Sequence, residues 1–403
     1  MSADRCSAAH RRSTVRAQEV AVARGTQVPI TPDVLRWAIS ESGHGPEELA
    51  SAVGVSPDVL DAWQAGGSRP NLTQARRLAS KLHRPLAALL LPSPPKARPL
   101  AVEFRHPASA RRELNASERR HLRRASRIQE TLSWIAGELA LDAPQTPSGS
   151  VSDDPAPLAA ETRRLLGITT TQQVEWRSSA IAFDHWRSAL EDTGHVVLLF
   201  SIGKASCRGF SAWDPRAPII AVNTAWNEEA RIYTLFHEFG HLITRTSSAC
   251  VESLRTSEHG DPIERWCERF AADVLMPGHD VEMFLRQQGW TPAKRITSLD
   301  AAAAMARRFK VSLRAAVIRL VTIKAATWDL YDQIPVVADK KPDAGGGTGR
   351  SRTEIREDQF GDRVASVLVD AVEKDVIGRS QAVDFLDIPD SSFDDLARAA
   401  HGA

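Results

Sequence analysis

The sequence predicts a multidomain α+β protein that is predominantly helical, with an all-α helix-turn-helix module first, a central α+β domain, and a small helical domain last. Three observations lead there. A chain of 403 residues is too long for one small core. Two Pro-rich joints and one Gly-rich joint interrupt it, at Leu91–Pro99, at 142–157 and at Gly345–Gly349. The β-prone runs all fall between His195 and Val222 and are followed at once by a helical pattern.

Composition excludes several classes. Lys and Arg total 51 against 50 for Asp and Glu, so no global charge draws the chain to nucleic acid or membrane. Cys6, Cys207, Cys250 and Cys267 show no paired spacing, which fits a reducing compartment, and a cytoplasmic location is expected. No apolar run reaches membrane-spanning length, and residues 1–26 lack the apolar core of a signal peptide. Residues 1–30 read as a disordered tail rich in Arg, Ser and Ala.

Residues 31–91 carry short helices with tight punctuation. Val34, Leu35 and Ile39 mark a first helix and Pro46–Val53 a second. Gly54-Val55-Ser56 makes a turn in which Gly54 is free to take positive φ and Ser56 stands as an N-cap. Val59, Leu60 and Trp63 form the inner face of a third helix, and Ala75, Leu78, Ala79 and Leu82 that of a fourth. In Glu48-Leu49-Ala50, Gly54-Val55-Ser56, Trp63 and Arg69-Pro70 the module resembles the phage-repressor-like XRE family, which implies that Pro57–Gln64 is a recognition helix. That helix offers Asp58, Asp61 and Gln64 but no Arg or Lys, and the module's six basic residues only equal its six acidic ones. Specific DNA reading and a docking or homodimerising role both remain open.

Residues 92–157 are read as Pro-rich linkers flanking a long helix from about Ser109 to Leu141. Leu114, Leu122, Ala125, Ile128, Leu132, Ile135 and Leu139 lie on one stripe. Arg111, Arg112, Arg119, Arg120, Arg123, Arg124 and Arg127 lie opposite. A solvated face is the expectation. If DNA is a partner, the contacts expected are Ser56, Asp58 and Arg69 in the first module and Arg111, Arg112, Arg119 and Arg123 here.

Residues 158–335 form the domain that carries chemistry. Strands are expected at His195–Phe200, Cys207–Trp213 and Pro218–Val222, with Asp214–Ala217 as a hairpin turn. Phe236-His237-Glu238-Phe239-Gly240-His241 follows. Histidines at i and i+4 on a helix can grip one metal ion, with the intervening glutamate beside the water that the ion activates, which is the HExxH arrangement of zinc peptidases. Leu235, Phe236, Phe239, Leu242 and Ile243 make the helix apolar nearly all round, so the polar groups should be buried and need partners. A catalytic zinc site wants three protein ligands. Glu264 and Glu268, again i and i+4, offer one carboxylate for the metal and one for the far nitrogen of a ligand histidine. His259, His279, Tyr233 and Tyr331 are candidate oxyanion donors. Cys267 is read as a small core residue.

Gly209-Phe210-Ser211, Pro218-Ile219-Ile220-Ala221-Val222-Asn223, Thr234–His241 and Glu264–Pro277 together resemble the ImmA/IrrE metallopeptidase family, in the variant with a fused XRE module. The resemblance implies a zincin-like fold, one Zn2+ (with another divalent ion such as Mn2+ compatible), His237, His241 and Glu264 as metal ligands, and Glu238 as catalytic base. It also implies a protein substrate, an XRE-type repressor cleaved in a stress, DNA-damage or mobile-element response. Phe236 stands where a small residue is usual, and Cys267-Glu268 replaces Ala-Asn. The competing reading is a DNA-binding regulator or antitoxin that uses the peptidase fold as a docking scaffold. Residues 336–353 read as a flexible linker and 354–403 as a separate helical domain.

Overall fold

The structure is a computed structural model that describes residues 26–95, 114–246, 248–250, 262–291, 294–334 and 349–400. Most of the expected tail, the residues Arg111, Arg112 and His259, and the joint at 336–348 lie outside the described residues. Among the described residues no helix is long and apolar enough to cross a membrane. The chain divides into two compact units, Met1–Lys96 and Ala97–Ala403.

The first unit holds α1 (Pro32–Ser42), α2 (Pro46–Val53), α3 (Pro57–Ala65), α4 (Leu72–Lys81) and a 3-10 turn, Leu86–Leu90. Proline opens each of the first three helices, where its fixed φ suits the first turn and its missing N–H is not needed. Gly54 ends α2 at φ 80°. Asn71 closes a capping box with Gln74 on α4. Leu35, Leu49, Leu60, Trp63 and Leu78 fill the core. Ser56 occupies the N-cap position of α3 as expected, but its side chain makes no capping hydrogen bond.

The second unit begins with α5 (Ala116–Glu138), α6 (Pro155–Leu165), α7 (Thr170–Glu175) and α8 (Ser179–Asp192). Strands β1 (Val196–Phe200), β2 (Gly209–Ala212) and β3 (Ile219–Asn223) lead into α9 (Glu228–Ile243), followed by β4 (Ser248–Cys250) and α10 (Pro262–Leu275). Then come α11 (Gly278–Gln287), α12 (Leu299–Phe309), α13 (Leu313–Thr322), α14 (Trp328–Asp332), α15 (Arg352–Glu373), α16 (Arg379–Leu386) and α17 (Phe393–Ala400).

The sheet order is β1-β3-β2-β4, with β1 parallel to β3 and the other pairs antiparallel. Asp214 shapes the β2–β3 turn by accepting from the N–H groups of Arg216 and Ala217, both at 2.8 Å. The two-residue period of the strands splits their side chains between two cores. Val197, Leu199, Ile220 and Val222 pack with α8, α9 and α10, whereas Val196, Leu198, Phe200, Ile219 and Ala221 pack with α5 and α15. Strand β1, and β3 as far as Val222, therefore read as unbroken apolar runs because helices cover both faces.

That second core corrects the expectation of a separate C-terminal domain. Val364, Leu368, Ala382 and Leu386 share one cluster with Leu198 and Phe200, so the last helices form an outer layer on the sheet. The buried stripe of α5 is the expected one, but its arginine face is not simply solvated. The Arg124 guanidinium lies 5.6 Å from the ring centroids of both Phe200 and Phe360. The segment after α5 is not a free linker either. Gln145 N–H donates to Thr193 O at 2.9 Å, and Trp266 Nε1–H donates to Asp153 O at 2.9 Å.

The same segment seals His195. Its ring nitrogens meet Thr193 Oγ1 at 2.9 Å and Thr146 Oγ1 at 2.8 Å, and burial pushes its pKa down to about 4. The folded state thus refuses a proton that the unfolded chain accepts near pH 6.5. Stability from this group is full above that pH and is lost as pH falls toward 4, by about 3 kcal/mol in all. Between pH 7 and 4.5, urea unfolding should therefore weaken more in the wild type than in His195→Asn, by about 2 kcal/mol. Equal losses in the two proteins would contradict the assignment.

Candidate metal centre

Helix α9 starts at Asn227, whose side chain accepts from Ala230 N–H at 3.0 Å, and every residue from Ala230 to Ile243 is buried. The apolar surround read from the sequence thus encloses His237, Glu238 and His241. Helix α10 packs along α9. Cys267 lies so close to Gly240 that a Cβ there would sit 3.2 Å from the Cys267 sulfur, which makes Cys267 a packing residue at the helix crossing.

This crossing brings the ligand atoms of His237, His241 and Glu264 within 4.8 Å of one another. His237 Nε2 lies 3.2 Å from His241 Nε2 and 3.1 Å from Glu264 Oε2, and His241 Nε2 lies 3.5 Å from Glu264 Oε1. A tetrahedral zinc with bonds of about 2.0–2.1 Å sets its ligands about 3.3–3.4 Å apart, so the three groups fit such an ion. Two imidazole nitrogens cannot face each other this closely with both lone pairs bare; a cation must sit between them or one must carry a proton. Burial alone would raise the Glu264 pKa, but hydrogen bonds and charge from His237 and His241 outweigh it and hold the carboxyl far below the usual range. Burial opposes charge on His241, yet Cys267 and Glu264 overcome it and raise its pKa. Against the opposition of burial, the Glu264 carboxylate favours positive charge where the three groups meet.

Glu238 is fully buried, and its Oε2 accepts from Ser211 Oγ at 2.9 Å. Strand β2 reaches this close through Gly209, where a Cβ would lie 2.5 Å from the Thr234 methyl, 2.8 Å from Ala221 O and 3.4 Å from Glu238 Cγ. Glu268 lies near His237 and Glu264. Burial raises its pKa to about 7, His237 opposing the shift and Glu264 adding to it. The far nitrogen of His241 meets Thr246 Oγ1 at 3.0 Å, an orienting contact that leaves Nε2 directed at the carboxylate. Tyr233 donates its hydroxyl to Glu268 O at 3.0 Å, Tyr331 receives Arg314 Nη1 at 3.3 Å, and His279 is exposed.

The C-terminal end of α10 is held by side chains. The carbonyls of Val274, Leu275 and Met276 accept from Arg163 Nη1 at 2.7 Å, Gln173 Nε2 at 2.9 Å and Arg319 Nε at 3.0 Å. Arg319 also pairs with Asp273 at 2.5 Å. Three distant elements thereby fix the helix that carries Glu264.

Sequence reasoning assigned no role to Ser211, Thr246 or this clamp. Ser211 lies within the Gly209-Phe210-Ser211 run that carries part of the family resemblance, and that is its signal in the sequence. The residues suggested for nucleic acid fall into both units: Ser56, Asp58 and Arg69 are exposed in the first, and Arg119 and Arg123 are half-buried in the second. Arg119 Nε donates to Leu114 O at 3.1 Å.

A family model described as the IrrE N-terminal-like domain of peptidase M78 matches residues 190–321, from the end of α8 to α13. The match supports a metallopeptidase-type function for this part of the chain, and it includes all three converging residues. No curated protein matches the chain.

Proposed function

We propose that the protein is a zinc-dependent endopeptidase that hydrolyses a peptide bond in a protein substrate, a helix-turn-helix repressor, as part of a stress, DNA-damage or mobile-element response. The observation that carries the reading is the convergence of His237 Nε2, His241 Nε2 and the Glu264 carboxylate beside the buried carboxylate of Glu238. Two nitrogen donors and one carboxylate suit zinc better than the oxygen-rich sets preferred by manganese. When bound, the ion supplies Lewis acidity to a scissile carbonyl and to water.

The chain's own groups do the rest. Glu238 takes the proton of the attacking water and delivers it to the leaving amine, while Ser211 Oγ–H holds the second oxygen fixed. Thr246 and the Glu264 carboxylate keep the His241 ring in one orientation through the cycle. The repressor as substrate is supported by the XRE resemblance of the first unit, which would aim the peptidase at a related partner.

The test is a comparison of protein N-termini in native-host lysate incubated with the purified chain, with and without a zinc chelator. A chelator-sensitive new terminus within a helix-turn-helix repressor is the expected result. No chelator-sensitive terminus in any protein would overturn the peptidase reading and favour the regulator.

A further inference from the structure

A cavity of about 560 Å3 opens where the N-terminal ends of α8, α9 and α13 meet the second half of α12. Its size is that of a small-molecule site. The capping residues of all three helices, Ser178, Asn227 and Ser312, line it. Helix N-termini carry partial positive charge, so three of them set a positive field in one place. His237, Glu238, His241 and Glu264 are not among its lining residues.

The side chains add to that field. Arg177 and Arg307 line the cavity, and neither guanidinium has a hydrogen-bond or ion-pair partner among the described residues. Lys310 donates to the carbonyls of Arg307 at 2.9 Å, Arg308 at 3.3 Å and Val174 at 3.4 Å, and burial, then the charge of Arg308, lower its pKa. Glu229 is the one carboxylate in the lining, and it accepts from Ser179 Oγ rather than from either arginine. Exposed arginines are often simply solvated, but this cavity also holds a donor that is nearly buried. Ser312 is only 7% exposed; its Oγ accepts from Ala315 N–H at 3.1 Å, and its hydroxyl hydrogen has no acceptor among the described residues. A buried donor without an acceptor is unfavourable, and an anion in the cavity supplies one.

We propose that this cavity binds a small phosphate-bearing ligand through Arg177, Arg307 and the Ser312 hydroxyl. A phosphate dianion only accepts hydrogen bonds, which suits a lining whose free groups are donors, and guanidinium forks match its oxygens two at a time. Helix N-termini receive phosphate for the same reason. The site does not depend on the peptidase reading. It does touch the metal-binding helix, because Asn227 caps α9 and Glu229 belongs to its first turn.

The experiment is calorimetric titration of the full chain with inorganic phosphate and with AMP, in parallel with Arg177→Gln and Arg307→Gln. Both arginines are exposed, so neither variant should disturb the fold. Binding of at least one probe to the wild type, weakened by about tenfold or more in each variant, is the expected result. No binding of either probe at millimolar concentration would overturn the proposal. So would a variant of either arginine that binds as tightly as the wild type, which would place the phosphate elsewhere, the metal centre included. A poly-aspartate peptide that binds through Arg177 and Arg307 while neither phosphate nor AMP does would also overturn it, in favour of an acidic protein segment.

Discussion

Glu238→Gln should lower peptide hydrolysis by about a thousandfold while leaving the metal content unchanged. Glutamine keeps the shape of the side chain and its carbonyl oxygen, so it can still accept from Ser211 Oγ, which now lies 2.9 Å from Glu238 Oε2. What it loses is the capacity to take a proton. Because His237, His241 and Glu264 converge without Glu238, metal retention and catalysis should separate cleanly. The check is kcat on any cleaved protein, measured beside zinc per chain. Activity within tenfold of the wild type would remove Glu238 from the role of base, and loss of metal would mean that it supports the ligands instead.

Gly361→Ala should destabilise the fold by about 3 kcal/mol or more, the second-largest effect expected of a single substitution. Gly361 interrupts α15 with φ 77° and ψ 173°, a backbone region essentially closed to residues with a Cβ. The interruption admits the Glu191 carboxylate from α8. Glu191 Oε1 accepts from Arg187 Nε at 2.9 Å, and Oε2 accepts from Asp362 N–H at 2.9 Å and Arg363 N–H at 3.4 Å. Glu191 thus caps the second half of α15 from a different helix. Arg187 extends the joint by donating to Val197 O at 2.9 Å and Asp358 O at 2.8 Å. A methyl group at Gly361 would lie 2.1 Å from Glu191 Oε1 and 2.5 Å from Arg187 Nη2. Backbone strain and a displaced buried ion pair therefore act together. Urea unfolding measures the effect, and a loss under about 1 kcal/mol would show that the cap is dispensable.

Neither Glu191 nor Gly361 drew attention in the sequence, and the reason is physical. The HExxH helix was legible because its function and its helical period coincide: one spacing places both histidines, and the apolar surround says that they are buried. Glu264 was legible because a second helix repeats the spacing. Contacts such as Glu191 to Asp362, Gln173 to Leu275 or Thr246 to His241 obey no local period and are set by how distant elements meet.

The C-terminal helices read as a separate unit because a glycine break and polar spacers look alike whether they bound a domain or a joint. Val196-Val197-Leu198-Leu199-Phe200 has no polar residue, as a strand covered on both faces requires, but such a run does not say which helices form the second layer. Arg124 was placed on a solvated face because helical spacing reports which side of a helix is polar, not whether a later helix covers it.

The most direct test of the central claim is the zinc content of the purified protein, measured by elemental analysis beside His237→Ala and Glu264→Ala. The account predicts about one zinc per chain in the wild type and loss from both variants, because each removes one of three ligands. A wild type that takes up no zinc when supplied with it, or variants that both retain it, would contradict the three-residue centre.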